Sequence, residues 1–115
     1  MLHLVQGSIY KENPFYSNSW ALIIGINNYE HDQKLHYSVA DAEILKKLLI
    51  EKLDFPEDNV FMLLDEEASL INIRKKLSKL SEVTANDDRV LIYFAGHGVT
   101  DPLPNGGEEG YLIPV

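Results

Sequence analysis

The chain has no cysteine among its 115 residues. That absence excludes a disulfide, a zinc–thiolate centre and a thiol nucleophile drawn from these residues. Basic side chains are scarce: 10 Lys and Arg stand against 18 Asp and Glu, a formal net charge of −8. A chain so poor in cations lacks the electrostatic footprint for nucleic acid and for a polybasic membrane anchor. An acidic surface favours solubility and attracts basic partners or substrates. Long apolar runs are missing too, and none approaches the roughly 20 residues a membrane span needs. The opening residues MLHLVQGSIYKENPFYSNSW do not follow the basic-then-apolar plan of a secretory leader. The chain therefore reads as a cytoplasmic protein.

What is present is a globular composition, with 45% hydrophobic residues. Residues 1–19 are mixed and read as a lead-in, with room for one short strand. From Trp20 the pattern sharpens into one domain, residues 20–115. WALIIGI (Trp20 to Ile26), VFMLL (Val60 to Leu64) and RVLIYFA (Arg89 to Ala95) are apolar runs of strand length. Runs apolar on both faces suit parallel strands covered on both sides.

Between them lie two helical patterns. Ala42, Leu45, Leu48, Leu49 and Leu53 recur at helical spacing behind Ser38, a candidate cap, and Phe55-Pro56 ends the run. Leu70, Ile73, Leu77 and Leu80 form a second stripe behind Ser69. Asp65, Glu66 and Glu67 between strand and helix read as solvated loop charges. Thr100 to Gly110, with its prolines and glycines, reads as a loop, and Tyr111 to Val115 starts like a further strand and then stops. Strands alternating with helices imply right-handed crossovers, and so an α/β fold with a mostly parallel sheet between helices, incomplete at its C-terminal end.

YFAGHG (Tyr93 to Gly98) carries the sharpest chemical signal. Active sites of open parallel sheets lie at the carboxyl ends of the strands, and His97 stands two residues beyond such an end. Gly96 and Gly98 remove side-chain bulk beside it, so backbone can approach a substrate and leave an amide free for an anion. A histidine so placed can serve as a general base near neutral pH. A tight turn that merely uses a histidine has the same sequence. LHYSVADA (Leu35 to Ala42) reaches the same sheet edge. There Asp41 and Ser38 read first as residues of a helix N-terminus. His3, His31 and His36 have no metal-ligand spacing.

Taken together, WALIIGINNYE, LHYSVADA, YFAGHG and GYLIPV resemble, in order, segments of the caspase and metacaspase superfamily of cysteine proteases. The resemblance covers nearly everything from Trp20 onward. It implies a caspase-like fold and a cysteine–histidine endopeptidase acting on peptides or proteins. His97 would match the catalytic histidine and the Gly98 amide an oxyanion donor. Asp41 would match an acid of the pocket that takes Arg or Lys before the cleaved bond, with Ser38 beside it where metacaspases carry a cysteine. The resemblance admits calcium, although the sequence has no EF-hand pattern; no other cofactor is expected. In caspases the histidine precedes the nucleophile by roughly 50 residues, which from His97 falls past Val115. The sequence thus reads as the front half of such a domain, cut before its cysteine and inactive alone. An exposed sheet edge would then invite self-association. The alternatives are a non-catalytic interaction or regulatory module on the same scaffold, the related separase-like branch, and a small-molecule binder sharing only the topology.

Overall fold

A strand that is apolar on both faces must be covered on both, and β1 (Ser19–Gly25) is: Ala21, Leu22 and Ile23 are fully buried. The structure, a computed structural model, describes residues 16–115. The lead-in expected over residues 1–19 lies mostly outside the described residues, and Ser19 already belongs to β1.

β1 is the middle of a three-stranded parallel sheet, flanked by β2 (Val60–Leu64) and β3 (Arg89–Ala95). Ile23 faces Met62 on one side and Tyr93 on the other. Alternate side chains point to opposite faces of a strand, so β1 feeds two cores. Ala21 and Ile23 pack with Ala42 and Leu49 of α1 (Ser38–Lys52). Leu22 and Ile24 pack with Leu63 and with Leu80 of α2 (Leu70–Val83). This is the three-layer α/β arrangement the sequence predicts. Each fully buried Leu or Ile adds on the order of 1.5–3 kcal/mol to such a core.

The helix stripes are only partly sunk. Leu48 and Leu53 of the first stripe and Leu70 and Leu77 of the second remain exposed. Three strands spaced about 4.8 Å apart make a narrow platform, and the flanks of both helices overhang it.

Ser69 caps α2 as expected, accepting a hydrogen bond from Asn72 N. Ser38 does not cap α1. It is the first helical residue, is buried, and has the uncapped Tyr37 before it. The free amides of the first turn are met from outside instead: Asn27 Oδ1 accepts from Ser38 N at 2.9 Å and from Val39 N at 3.3 Å. The cap thus comes from the loop after β1 and ties the helix start to the strand end. Gly25 allows this closeness, because a Cβ there would stand 2.7 Å from the Ser38 carbonyl oxygen and 2.8 Å from Ala42 Cβ.

Beyond β3 the sequence expectation needs correction. The stretch expected to be a loop over Thr100 to Gly110 is an antiparallel hairpin of β4 (Gly98–Pro102) and β5 (Glu108–Leu112). Its turn is short, with Leu103 N bonded to Gly107 O and both Gly106 and Gly107 at positive φ. The final strand pairs with β4 rather than joining the parallel sheet. A ladder of main-chain bonds needs no apolar run, and every residue of both strands is exposed. After β5 the chain turns inward: Ile113 and Val115 pack on the α2-side core, and Val115 N bonds Ala68 O at 3.0 Å.

Candidate active site

The parallel strands deliver their carboxyl ends to one edge, and two connections meet there. Gly25 pairs with Ala95 across the ends of β1 and β3, and Ile26 N bonds Ala95 O at 2.9 Å. β1 then runs into residues 26–37 while β3 runs into Gly96 and His97.

The loop of residues 26–37 is fastened at its start. Asp65, just past β2, accepts from Asn27 N at 2.8 Å and Asn28 N at 3.0 Å through one carboxylate oxygen. Its backbone sits at φ 49, a left-handed conformation that Asp tolerates better than most residues. Asn27 O in turn accepts from Leu35 N, closing the loop on itself. Asp65 is therefore a structural acceptor and not the solvated charge the sequence suggests. Glu67 is likewise engaged, its Oε1 accepting from Leu64 N at 3.1 Å.

The loop so held brings three residues against His97. The backbone carbonyl of Gln33 lies 2.6 Å from His97 Nε2. Asp32 Oδ1 lies 4.0 Å from the same nitrogen. The Tyr29 ring lies against the imidazole, with centroids 4.7 Å apart and planes at 50°. A carbonyl oxygen only accepts, so Nε2 carries the hydrogen, and the lone pair of the neutral ring sits on Nδ1. The His97 side chain keeps 24% of its surface open. One ring nitrogen is thus held on a carbonyl, and the other is left with the lone pair.

Tyr29 is itself buried. Its hydroxyl accepts from His97 N at 2.8 Å and donates to Ile113 O at 2.9 Å. Burial raises the phenol pKa above its ordinary 10.0; the bond from the His97 amide pulls the other way, and the Asp32 charge adds to the rise. The amide of His97 is thus engaged.

Gly98 opens β4. Ile113 N donates to His97 O at 2.9 Å, which makes His97 and Ile113 a hydrogen-bonding position. The next pair, Gly98 and Leu112, then falls on a non-bonding position, with the Gly98 N–H directed away from β5. Asp41 lies in the first turn of α1, exposed, its amide bonded to Tyr37 O. Neither Asp41 nor Ser38 bonds to His97, and the acid that reaches the ring is Asp32. His31 and His36 are exposed, and His3 lies outside the described residues. Among the described residues no three His, Cys, Asp or Glu side chains converge as metal ligands would.

Sequence reasoning missed Tyr29, Asp32, Gln33, Asn27 and Asp65. The available signals were position alone: an acid directly after a buried strand, and an aromatic four residues past the glycine that ends β1.

Residues 18–115 match the family model described as the caspase domain. The chain belongs to the caspase-domain family. Metacaspase-6 of Arabidopsis thaliana is 33% identical over 94 residues, which are 77% of this chain and 26% of that protein. Metacaspase-3 of the same plant is 32% identical over 105 residues, 83% of this chain and 29% of the relative. Metacaspase-1 of Eremothecium gossypii is 26% identical over 116 residues, 92% of this chain and 26% of the relative. The chain spans little more than a quarter of the length of these relatives. The caspase domain is a cysteine-protease domain, so the family supplies the protease chemistry for which this chain holds no thiol. Among the described residues no helix is long and apolar enough to cross a membrane.

Proposed function

We propose that this caspase domain supplies the histidine side of a cysteine-endopeptidase site, with His97 as the proton-transfer residue. The observation that carries the proposal is the anchoring of His97 Nε2 on the Gln33 carbonyl at 2.6 Å, which leaves Nδ1 as the base. The thiol comes from outside these 115 residues, since none of them is cysteine. His97 Nδ1 takes the thiol proton, and the thiolate adds to a peptide carbonyl. The Gly98 N–H donates to the oxyanion that forms. His97 then returns its proton to the departing amine, and water hydrolyses the thioester. Asp41, exposed at the same sheet edge, attracts an Arg or Lys side chain before the cleaved bond.

The test is cleavage of fluorogenic peptides ending in Arg, Lys or Asp by the protein joined to its cysteine-bearing segment. Arg and Lys peptides are expected to be cleaved and the Asp peptide spared. His97→Ala is expected to lower kcat by roughly 10²–10⁴-fold, the usual contribution of a positioned acid–base group. Asp41→Ala is expected to raise KM for the basic peptides with little change in kcat. Full activity in His97→Ala would sink the assignment.

The lack of any cysteine also favours a second reading, a caspase-like scaffold that binds other proteins without cutting them. Absence of cleavage by every cysteine-bearing form of the protein would decide for it.

A further inference from the structure

In an antiparallel ladder, a hydrogen-bonded pair exchanges two bonds, one in each direction. One step beyond the Gly98–Leu112 pair stand His97 and Ile113. Only half of their exchange is direct: Ile113 N donates to His97 O at 2.9 Å. The other half runs through a side chain. His97 N donates to the Tyr29 hydroxyl at 2.8 Å, and that hydroxyl donates to Ile113 O at 2.9 Å. The phenol is an inserted rung, and β4 begins at Gly98 instead of His97.

Two further observations concern the same side chain. The Tyr29 ring lies against the His97 ring at 4.7 Å. At Gly96, a Cβ would run into the Tyr29 hydroxyl and the Phe94 ring. The glycine before His97 therefore makes room for Tyr29, whereas the sequence suggests room for substrate.

We propose that Tyr29 is a positioning residue for His97. Its hydroxyl sets where the His97 backbone stands between the sheet end and the hairpin. Its ring sets the tilt of the imidazole, so that Nε2 meets the Gln33 carbonyl. Tyr29 touches no reacting atom; it acts through His97. It also joins His97 to residues 113–115, which are fixed at Ala68 by the bond from Val115. Only the effect on cleavage rests on the protease reading above; the placement of His97 does not.

The test compares Tyr29→Phe with the parent in the 115-residue chain, by amide hydrogen exchange and ring ¹⁵N shifts of His97. Removing the hydroxyl is expected to speed exchange at the His97 amide by about tenfold, the worth of one hydrogen bond. The ¹⁵N shifts of the His97 ring are expected to move, while the amides of Leu22 and Ile23 keep their protection. Unchanged ring shifts and amide exchange at His97 would overturn the proposal.

Gly96→Ala is the second variant, and it presses on the hydroxyl from the other side. It is expected to disturb His97 in the parent and to add less when Tyr29→Phe is already present, as residues in contact are non-additive. Strict additivity would count against the contact. In the protein complete with its cysteine, Tyr29→Phe is expected to lower kcat about tenfold at constant KM, the signature of lost orientation. If the parent itself does not cleave, the protease reading fails, and the His97 spectra alone decide on Tyr29.

Discussion

Leu22 at the centre of β1 is fully buried, whereas every residue of β4 and β5 is exposed. The two regions are held by different forces. The parallel sheet with α1 and α2 is a hydrophobic assembly, its strands apolar on both faces and its helices laid across them. The hairpin is held by its own ladder, the Tyr29 rung, and the return of residues 113–115 to the core. His97 sits at the joint, with its strand in the first region and its carbonyl bonded to the second. A histidine placed there takes its position from a rigid platform while its surroundings are built from loops, the usual division between scaffold and site.

The sharpest way to break the comparison is one truncation in each region. Leu22→Ala is expected to cost about 2–5 kcal/mol, since it leaves a cavity under both neighbouring strands. Val99→Ala, on an exposed hairpin position, is expected to stay within about 0.5 kcal/mol. Denaturant midpoints for the two variants measure the contrast; equal losses would mean that the hairpin carries core-like packing.

The difference also explains what the sequence shows and what it hides. β2 and β3 have the bounds that their apolar runs predict, and β1 begins and ends one residue early, because an unbroken apolar run marks a strand even where, as at Val90 and Ile92 of β3, one face stays exposed. The hairpin has no such signature. Its register lies in main-chain bonds, and its prolines, Pro102 at a strand end and Pro104 in the turn, read as loop residues. The place of His97 two residues beyond β3 was legible, and so was the place of Ser38 and Asp41 at the start of α1. Tyr29, Gln33, Asp32 and Asp65 were not, because their roles arise only when the turns after β1 and β2 meet the end of β3. The Ser38 cap failed for the same reason: Asn27, 11 residues earlier, reaches the amides first.

Asp65 tests how the joint is fastened. Asp65→Ala removes a charged acceptor from two amides and is expected to cost about 1.5–3 kcal/mol. Exchange should rise over residues 27–37 before it rises in β1. Asp65→Asn retains a carbonyl acceptor and is expected to lose less. An alanine variant as stable as the parent would mean that the loop after β1 is held elsewhere.

The smallest effect expected is a pH dependence. The Tyr29 phenol, facing His97 and Asp32, titrates above its ordinary 10.0, chiefly because it is buried. The unfolded chain therefore loses this proton first. The contribution of Tyr29 to stability is complete below about pH 10 and is lost as pH rises from there through the raised value. Tyr29→Phe is expected to flatten this alkaline decline. The exposed Tyr111, raised by its bond to Glu109, leaves a residual slope in both proteins. Identical alkaline unfolding curves would show that the Tyr29 proton is not held by the fold.

The most direct test of the account is the protonation pattern of the His97 ring, read from long-range ¹H–¹⁵N correlations of the 115-residue chain between pH 5 and 9. Hydrogen is expected on Nε2, held by the Gln33 carbonyl, with the lone pair of the neutral ring on Nδ1. A neutral ring with its hydrogen on Nδ1 would leave Nε2 bare against the Gln33 carbonyl, and His97 could not then be the base described here.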